Sequence, residues 1–486
     1  MSSTTFRQKV QSGLLWSLVQ NWGLRFGGLI VFMFLARVLT PSELGLFAAA
    51  TTVVALCALF VESGLSEAVV QQPEVNHRQL NSIFAINLGL AMLAVLGLWL
   101  FSPMIAAVMK LPELTWVLRI SSLGMLISAA CFGQNAMYRR KFEYRALAMA
   151  SLIATLVSGA LALAMASAGH GTWSLVAQSL SASALTALIL WRHPQWNFSF
   201  AFDFPGTLRM VSYGFQRLLT ALMDFANTRF IELFFAATLG ASALGLYIIG
   251  TRIYQALMQT LCTSILDIAH NAFSRLAHDR VALQKAYYAA INVSAAIAVP
   301  IFCVTSAVTP ELTLVVFGPK WTSAASIMAP MLLLGAVQVL QFYNGIAYNA
   351  MGRPDIGLIF ITAKTIITLG CLYAAKDQTL NTIVVVFVLS QLSITPISFI
   401  VARRIIGISL RTLALNLWPF IFSSTCAVIF VQAARPSVAL WTESALAQLV
   451  LLTSAGFAIY FVLVGLLARQ QAIAVITAFK NRRASV

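Results

Sequence analysis

The stretch LARVLTPSELGLF at residues 35–47 returns at 235–247 as FAATLGASALGLY, an offset of 200 positions. Ala36, Leu39, Ser42, Leu44, Gly45 and Leu46 reappear as Ala236, Leu239, Ser242, Leu244, Gly245 and Leu246. A second echo joins Asn135-Ala136-Met137 to Asn349-Ala350-Met351. Self-similarity at a fixed offset means that the chain builds one architecture twice.

The repeated unit is a set of membrane helices. Of 486 residues, 60% are hydrophobic and 9% charged, whereas a soluble domain carries about 25% charged residues. Apolar runs fall at 13–38, 43–64, 80–101, 114–137, 147–168, 172–191, 211–239, 242–266, 285–308, 324–350, 356–375, 381–402, 413–434 and 442–467. Such runs suit helices crossing a hydrocarbon core of about 30 Å. They are too long and too continuous for barrel strands, which alternate over about ten residues. The expected fold is an all-α integral membrane protein with fourteen transmembrane helices. Six helices would form an N-terminal lobe at 1–192, followed by a cytoplasmic linker at 193–210, a second six-helix lobe at 211–404, and two further helices with a basic tail at 405–486. An even number of helices separates the copies, so they run parallel, a plan that transporters use with the substrate site where the repeats meet. The first run contains Arg25 and has no small-residue cleavage site, so it is expected to be retained rather than removed as a signal peptide.

Basic residues set the orientation. With the N-terminus inside, cytoplasmic segments carry Arg7, Lys9, Arg78, Arg139, Arg140, Lys141, Arg192, Arg275, Arg403, Arg404, Lys480 and Arg482 among others, against Arg37, Lys110, Lys320, Lys376 and Arg435 outside. Both termini are therefore expected in the cytoplasm. The net charge of +16 reads as an orientation signal and a contact with anionic lipid headgroups, without nucleic acid as a partner.

Some charges cannot be loop residues. The run FQRLLTALMDFANTRFIELFF at 215–235 holds Arg217, Asp224, Arg229 and Glu232. A charge at the bilayer centre costs roughly 2.5–3.5 kcal/mol on insertion scales, so these groups must be paired, solvated or matched by a ligand. At 100° per residue Arg217, Thr220, Asp224, Thr228 and Glu232 share one stripe, with Asn227 and Arg229 at its flanks. The first span offers Gln20, Asn21 and Arg25, the eighth Arg252, Gln255 and Gln259, the eleventh Lys364 and the fourth Arg119. Within the spans Arg25, Arg119, Arg217, Arg229, Arg252 and Lys364 outnumber the acids Glu62, Asp224 and Glu232. Arginine forks suit phosphate oxygens, so these bases and amides are candidate ligands for a phosphate-bearing substrate. Arg229 and Glu232, at i, i+3, could instead pair locally. Asp224 and Glu232 are candidates for ion coupling. Gln338, Gln341, Tyr343, Asn344, Tyr348 and Asn349 on the tenth span could bind sugar hydroxyls or serve as packing residues.

Other chemistries find no pattern. There is no Gly-rich phosphate loop ending in Lys-Ser/Thr, and His77, His170, His193, His270 and His278 lack metal spacing. Cys57, Cys131, Cys262, Cys303, Cys371 and Cys426 lie in apolar runs without a CxxC pair and read as packing residues. No catalytic residue, metal or cofactor is expected. A membrane enzyme of polysaccharide assembly would need a large loop, and a cation-drug antiporter would need unpaired carboxylates. Both are weaker alternatives.

Residues 35–46, together with Glu62-Ser63-Gly64-Leu65, Val69-Val70-Gln71-Gln72, Ala272-Phe273-Ser274-Arg275-Leu276 and Phe317-Gly318-Pro319-Lys320-Trp321, resemble the signatures of Wzx-type polysaccharide flippases. These form the colanic-acid and exopolysaccharide branch of the multidrug/oligosaccharidyl-lipid/polysaccharide exporter superfamily. The resemblance implies a two-lobed carrier in the bacterial inner membrane. It would pass undecaprenyl-pyrophosphate-linked oligosaccharide from the cytoplasmic to the periplasmic face through a cationic cavity by alternating access. It implies membrane lipids and a polysaccharide polymerase as partners, and places Arg25 and Arg252 in that cavity by helix order. The orientation is checked by alkaline phosphatase fusions: activity is expected after Lys376 and absent after Lys141, and the reverse pattern inverts the topology.

Overall fold

The computed structural model describes residues 3–62, 69 and 76–468. Most side chains up to residue 19 and between 206 and 220 lie outside the description, as do those of Asn21, Arg25, Asp224 and Asn227. Ser63-Gly64-Leu65 and Val70-Gln71-Gln72 of the signature, and the basic tail from 469 onward, lie outside the described residues altogether.

The described chain is helical, without strands. The first helices are α1 (Ser3–Val38), α2 (Pro41–Glu62), α3 (His77–Val108), α4 (Leu114–Arg140), α5 (Tyr144–Ser167), α6 (Thr172–Arg192) and α7 (Phe204–Leu276). Then come α8 (Arg280–Ala307), α9 (Thr309–Val316), α10 (Ala325–Ala350), α11 (Pro354–Ala374), α12 (Leu380–Leu392), α13 (Thr395–Ile406), α14 (Leu410–Trp441) and α15 (Ala445–Leu467). Among the described residues twelve helical segments are long and apolar enough to cross a membrane, against the fourteen runs read from the sequence. The runs 13–38 and 211–239 fall on α1 and the first arm of α7, where many side chains are outside the description.

Packing divides the chain into two compact units, Met1–Gly245 and Leu246–Val486. In the first, α3 packs on α4, α4 on α6, and α5 on α6. In the second, α8 packs on α10, α10 on α12, and α11 on α12. These are the same pairings displaced by six of the expected spans, the relation that a parallel repeat requires. The third helix of each set even starts alike: Asn76 caps α3 through a reciprocal box with Gln79, and Asp279 caps α8 by accepting from the Val281 and Ala282 amides.

The quoted repeat supplies the corner between successive helices. In the first copy α1 ends at Val38 and α2 starts at Pro41. The Thr40 amide and hydroxyl donate to Glu43 Oε2 at 2.8 and 2.9 Å, and Thr40 Oγ1 accepts from the Glu43 amide at 3.4 Å, so Thr-Pro-Ser-Glu is a capping box with proline at the first helical position. In the second copy the equivalent of Thr40 is Gly240, whose φ of 83° and ψ of 179° interrupt α7. Five residues on in each copy come Gly45 and Gly245. A Cβ on Gly45 would overlap the Ala241 carbonyl oxygen, and one on Gly245 would overlap the Pro41 carbonyl oxygen. Ala241 is the repeat equivalent of Pro41, so the contact is reciprocal.

Three segments depart from a plain run of spans. The twelfth run, 381–402, divides into α12 and α13 because Pro396, in the first turn of α13, supplies no amide to the turn before it. The region 309–323, read as a loop, contains the short α9 and a 3-10 turn at Pro319–Ala324, anchored by fully buried Phe317 and Trp321. On α9 the buried Glu311 meets Arg435 Nε of α14 at 2.7 Å. Finally, residues 193–203 of the expected linker are laced to the first unit: Trp196 is buried and donates to Asn81 Oδ1 at 3.1 Å, Gln134 donates to the Trp196 carbonyl at 2.6 Å, and the Asp203 amide donates to Ser82 Oγ at 2.7 Å.

The reciprocal crossing predicts that Gly45→Ala and Gly245→Ala each cost about 1–3 kcal/mol or more, because no rotamer relieves overlap with a carbonyl oxygen. Gly89→Ala, with nothing near its Cβ position, is expected to be neutral. Thermal unfolding of the detergent-solubilised variants measures the difference.

Candidate functional site

The charges singled out in the sequence meet different fates. Glu232 is buried and takes two donors: Arg229 Nη1 at 2.8 Å and Thr52 Oγ1, from α2, at 2.7 Å. The i, i+3 spacing thus produces the local pair, and a hydroxyl from another helix completes it. Arg119 is held at the end of the α3–α4 pair. Its Nε donates to Ser102 Oγ at 3.0 Å and to the Trp99 carbonyl at 3.2 Å, and its guanidinium stands 5.1 Å from the Trp116 ring centre and 5.9 Å from that of Trp99. Aromatic faces stabilise such a cation.

Lys364 is half-buried on α11, Arg252 is half-buried on α7 beyond Gly240, and Gln255, one turn further, is exposed. Arg25, Asn21, Arg217 and Asp224 belong to the side chains outside the description.

Most polar residues of the tenth span are committed to packing, while Asn349 at its end is exposed. Tyr287 donates to Asn344 Oδ1 at 2.6 Å, Asn344 Nδ2 donates to Ser398 Oγ at 2.9 Å, and Tyr348 donates to the Ser398 carbonyl at 2.6 Å. Tyr343 bonds Ser294 at 2.5 Å, and Gln338 accepts from Tyr254 at 2.5 Å. Tyr343, Asn344 and Tyr348 are fully buried. In an apolar surrounding, such interhelical bonds hold helices together where hydrophobic contrast is missing. Of the two readings of this cluster, packing is the one the contacts satisfy.

An open space lies elsewhere. Inside the first unit a cavity of about 770 Å³ is walled by all six helices α1–α6. Gln20 is the candidate site residue that lines it; its Nε2 donates to Ser151 Oγ at 3.2 Å. The rest of its polar wall comes from residues to which the sequence reading gave no binding role. On α4, Ser121, Ser128 and Asn135 recur every seven residues and lead to Arg139; α6 adds Ser179, Ser183 and Thr186. Two full turns of helix return a side chain close to the same face, so this stripe was visible in the sequence as periodic Ser and Asn, but without charge it attracted no attention. Arg139 is the one ionisable group apart from Cys131 among the described residues lining the cavity.

Residues 34–326 match the family described as polysaccharide biosynthesis protein. The succinoglycan biosynthesis transport protein ExoT of Rhizobium meliloti is 25% identical over 96% of this chain and 94% of its own length. The lipopolysaccharide biosynthesis protein WzxC of Escherichia coli is 23% identical over 87% of each. In three dimensions the lipid II flippase MurJ, in an inward closed conformation, superimposes with a TM-score of 0.74 over 94% of this chain and 99% of its own, at 11% identity. The fold is therefore that of MurJ.

The Thr52–Glu232 bond predicts a coupling of about 1–2 kcal/mol in a double-mutant cycle combining Thr52→Val with Glu232→Gln, read by equilibrium unfolding in mixed micelles. Additive effects would mean that the hydroxyl does not act on the carboxylate.

Proposed function

The chain belongs to the polysaccharide biosynthesis protein family, and on that premise we propose that it is a flippase for lipid-linked oligosaccharides. The cargo is an undecaprenyl-pyrophosphate-linked repeat unit, carried from the cytoplasmic to the periplasmic face of a bacterial inner membrane for exopolysaccharide or lipopolysaccharide assembly. The observation that carries this reading is the family match over more than half of the chain. The names of ExoT, WzxC and MurJ agree with it: succinoglycan biosynthesis transport, lipopolysaccharide biosynthesis and the flipping of lipid II.

The chemistry of the cargo has two demands. A pyrophosphate needs cations, and arginine is the side chain whose donors match its oxygens in pairs. Arg25, Arg217 and Arg252 are assigned that role, with Lys364, Gln255 and Asn21 as auxiliary ligands. Arg229 and Arg119 are the least suited of the candidate bases, because Glu232 holds one and two indoles and a serine hold the other. The polyprenyl tail stays in lipid, which no protein cavity needs to match.

Alternating access then requires an energy source. Asp224 is assigned proton or sodium uptake during the return of the empty carrier, while Glu232, on the same helix, serves as the counter-charge of Arg229. A polymerase that consumes the periplasmic product supplies a further pull.

The test is the distribution of repeat units across the inner membrane of cells that lack their own flippase. Wild type is expected to restore outward movement, and Arg25→Ala/Arg252→Ala, present at equal level, to lower it at least tenfold. Undiminished movement by the variant removes these two arginines from the site; failure of wild type with several repeat units removes the flippase reading.

A further inference from the structure

The cavity inside α1–α6 has a chemistry of its own. Its hydroxyls have mostly spent their hydrogens within their own helices: Thr51 donates to the Phe47 carbonyl at 3.0 Å, Ser151 to Leu147 at 2.8 Å, Thr155 to Ser151 at 2.8 Å, Ser179 to Val176 at 2.9 Å and Thr186 to Ala182 at 2.8 Å. A serine or threonine bonded in this way keeps its oxygen lone pairs for a further donor, as Ser151 does in accepting from Gln20. The wall is therefore rich in acceptors.

Two acceptors are conspicuous because they are buried and unmatched. Asn87 is 1% exposed and its Nδ2 donates to the Val61 carbonyl at 2.8 Å, yet its Oδ1 has no hydrogen-bond partner among the described residues. Ser121 is 6% exposed and its Oγ is equally unpaired. Both residues line the cavity, on different helices. Buried polar atoms are ordinarily bonded, so orphans on the wall of a cavity mark a place where a guest completes the set.

The guest can be narrowed by elimination. A divalent metal ion or an organic ammonium would need a carboxylate, and among the described residues no Asp or Glu lines the cavity, while Arg139 does. A hydrocarbon chain would leave the lone pairs unpaired. An anion would find one guanidinium and a few hydroxyl and amide donors among a majority of acceptors. A neutral compound carrying many hydroxyls meets each condition, because every hydroxyl donates to an acceptor and can still accept in turn. The volume, about 770 Å³, lies in the range of roughly 300–1,000 Å³ usual for small-molecule sites, so it admits a short glycan rather than a single ion.

We propose that this cavity is the glycan subsite of the carrier, and that it reads the sugars of the cargo through uncharged hydrogen bonds. The assignment rests on the flippase reading. It makes selectivity for the repeat unit a property of the Ser and Asn stripe on α4 and of its partners on α6, with Arg139 at the end of α4 meeting any acidic substituent.

The experiment uses the full chain in nanodiscs and two probes: undecaprenyl pyrophosphate alone, and the same carrier bearing a neutral hexose tetrasaccharide. Wild type is expected to bind the glycosylated carrier at least tenfold more tightly than the bare one. Ser128→Leu/Ser183→Leu, which fills the cavity, is expected to bind the two equally and to keep the affinity of wild type for the bare carrier. Ser128→Ala/Ser183→Ala, which removes hydroxyls without adding bulk, is expected to reduce the preference about threefold and guards against misfolding of the larger variant. A preference unchanged in both variants overturns the subsite while leaving the flippase reading in place. Wild type that binds the bare carrier without preferring the glycosylated one has the same meaning, with water as the cavity's occupant. Wild type that binds neither probe overturns both.

Discussion

Gly45 and Gly245 cross where neither backbone leaves room for a methyl group, each lying against the carbonyl oxygen four residues before the other. Helices that approach this closely gain dispersion contact along their length, which matters most in a bilayer because lipid tails are as apolar as the side chains. The approach also fixes what surrounds it. The corner before Gly45 must be tight, and the Thr40–Glu43 box and Pro41 make it so; the corner before Gly245 must bend within a single residue, and Gly240 takes the positive φ. Thr52, two turns beyond Gly45, reaches the carboxylate of Glu232, on the arm that precedes Gly240.

Away from that crossing the polar groups divide into those that are used up and those left over. Glu232, Arg229 and Arg119 are satisfied by neighbours, as are Tyr287, Tyr343, Asn344 and Tyr348 in the second unit and Glu311 with Arg435. Their bonds tie helix to helix. Others, on the cavity wall of the first unit, are mostly oxygen lone pairs with little charge. A carrier for a charged and glycosylated lipid has reason to separate the two recognition tasks: a pyrophosphate is held through charge, which acts at a distance and discriminates poorly, whereas sugars are told apart by the geometry of hydroxyls, which hydrogen bonds read closely.

Much of the fold was legible in the sequence. The apolar runs marked the helices, and the offset of 200 residues marked the parallel repeat that the helix pairings of the two units reproduce. The pairing of Arg229 with Glu232 followed from i, i+3 spacing. What escaped were features without a period of their own: α9 and its 3-10 turn are too short to show one, and the strap 193–203 is fixed by single bonds from Trp196, Asn81 and Gln134. The candidate site was only half legible. Charged residues stand out in an apolar chain, but serines on a membrane helix are common, and whether Ser121, Ser128 and Asn135 face lipid, packing or space is not written in their spacing.

The sequence by itself determined that this is a multi-pass membrane protein built twice over, because hydropathy and repetition are properties of the string and a backbone in lipid has almost no choice but helix. Only the tertiary structure decided which polar groups are free. Whether Arg119 has a partner depends on where Trp99 and Ser102 come to rest, and whether a serine lines a cavity depends on how closely five other helices approach it. Those distances are set by packing between residues far apart in the chain, and no local pattern encodes them.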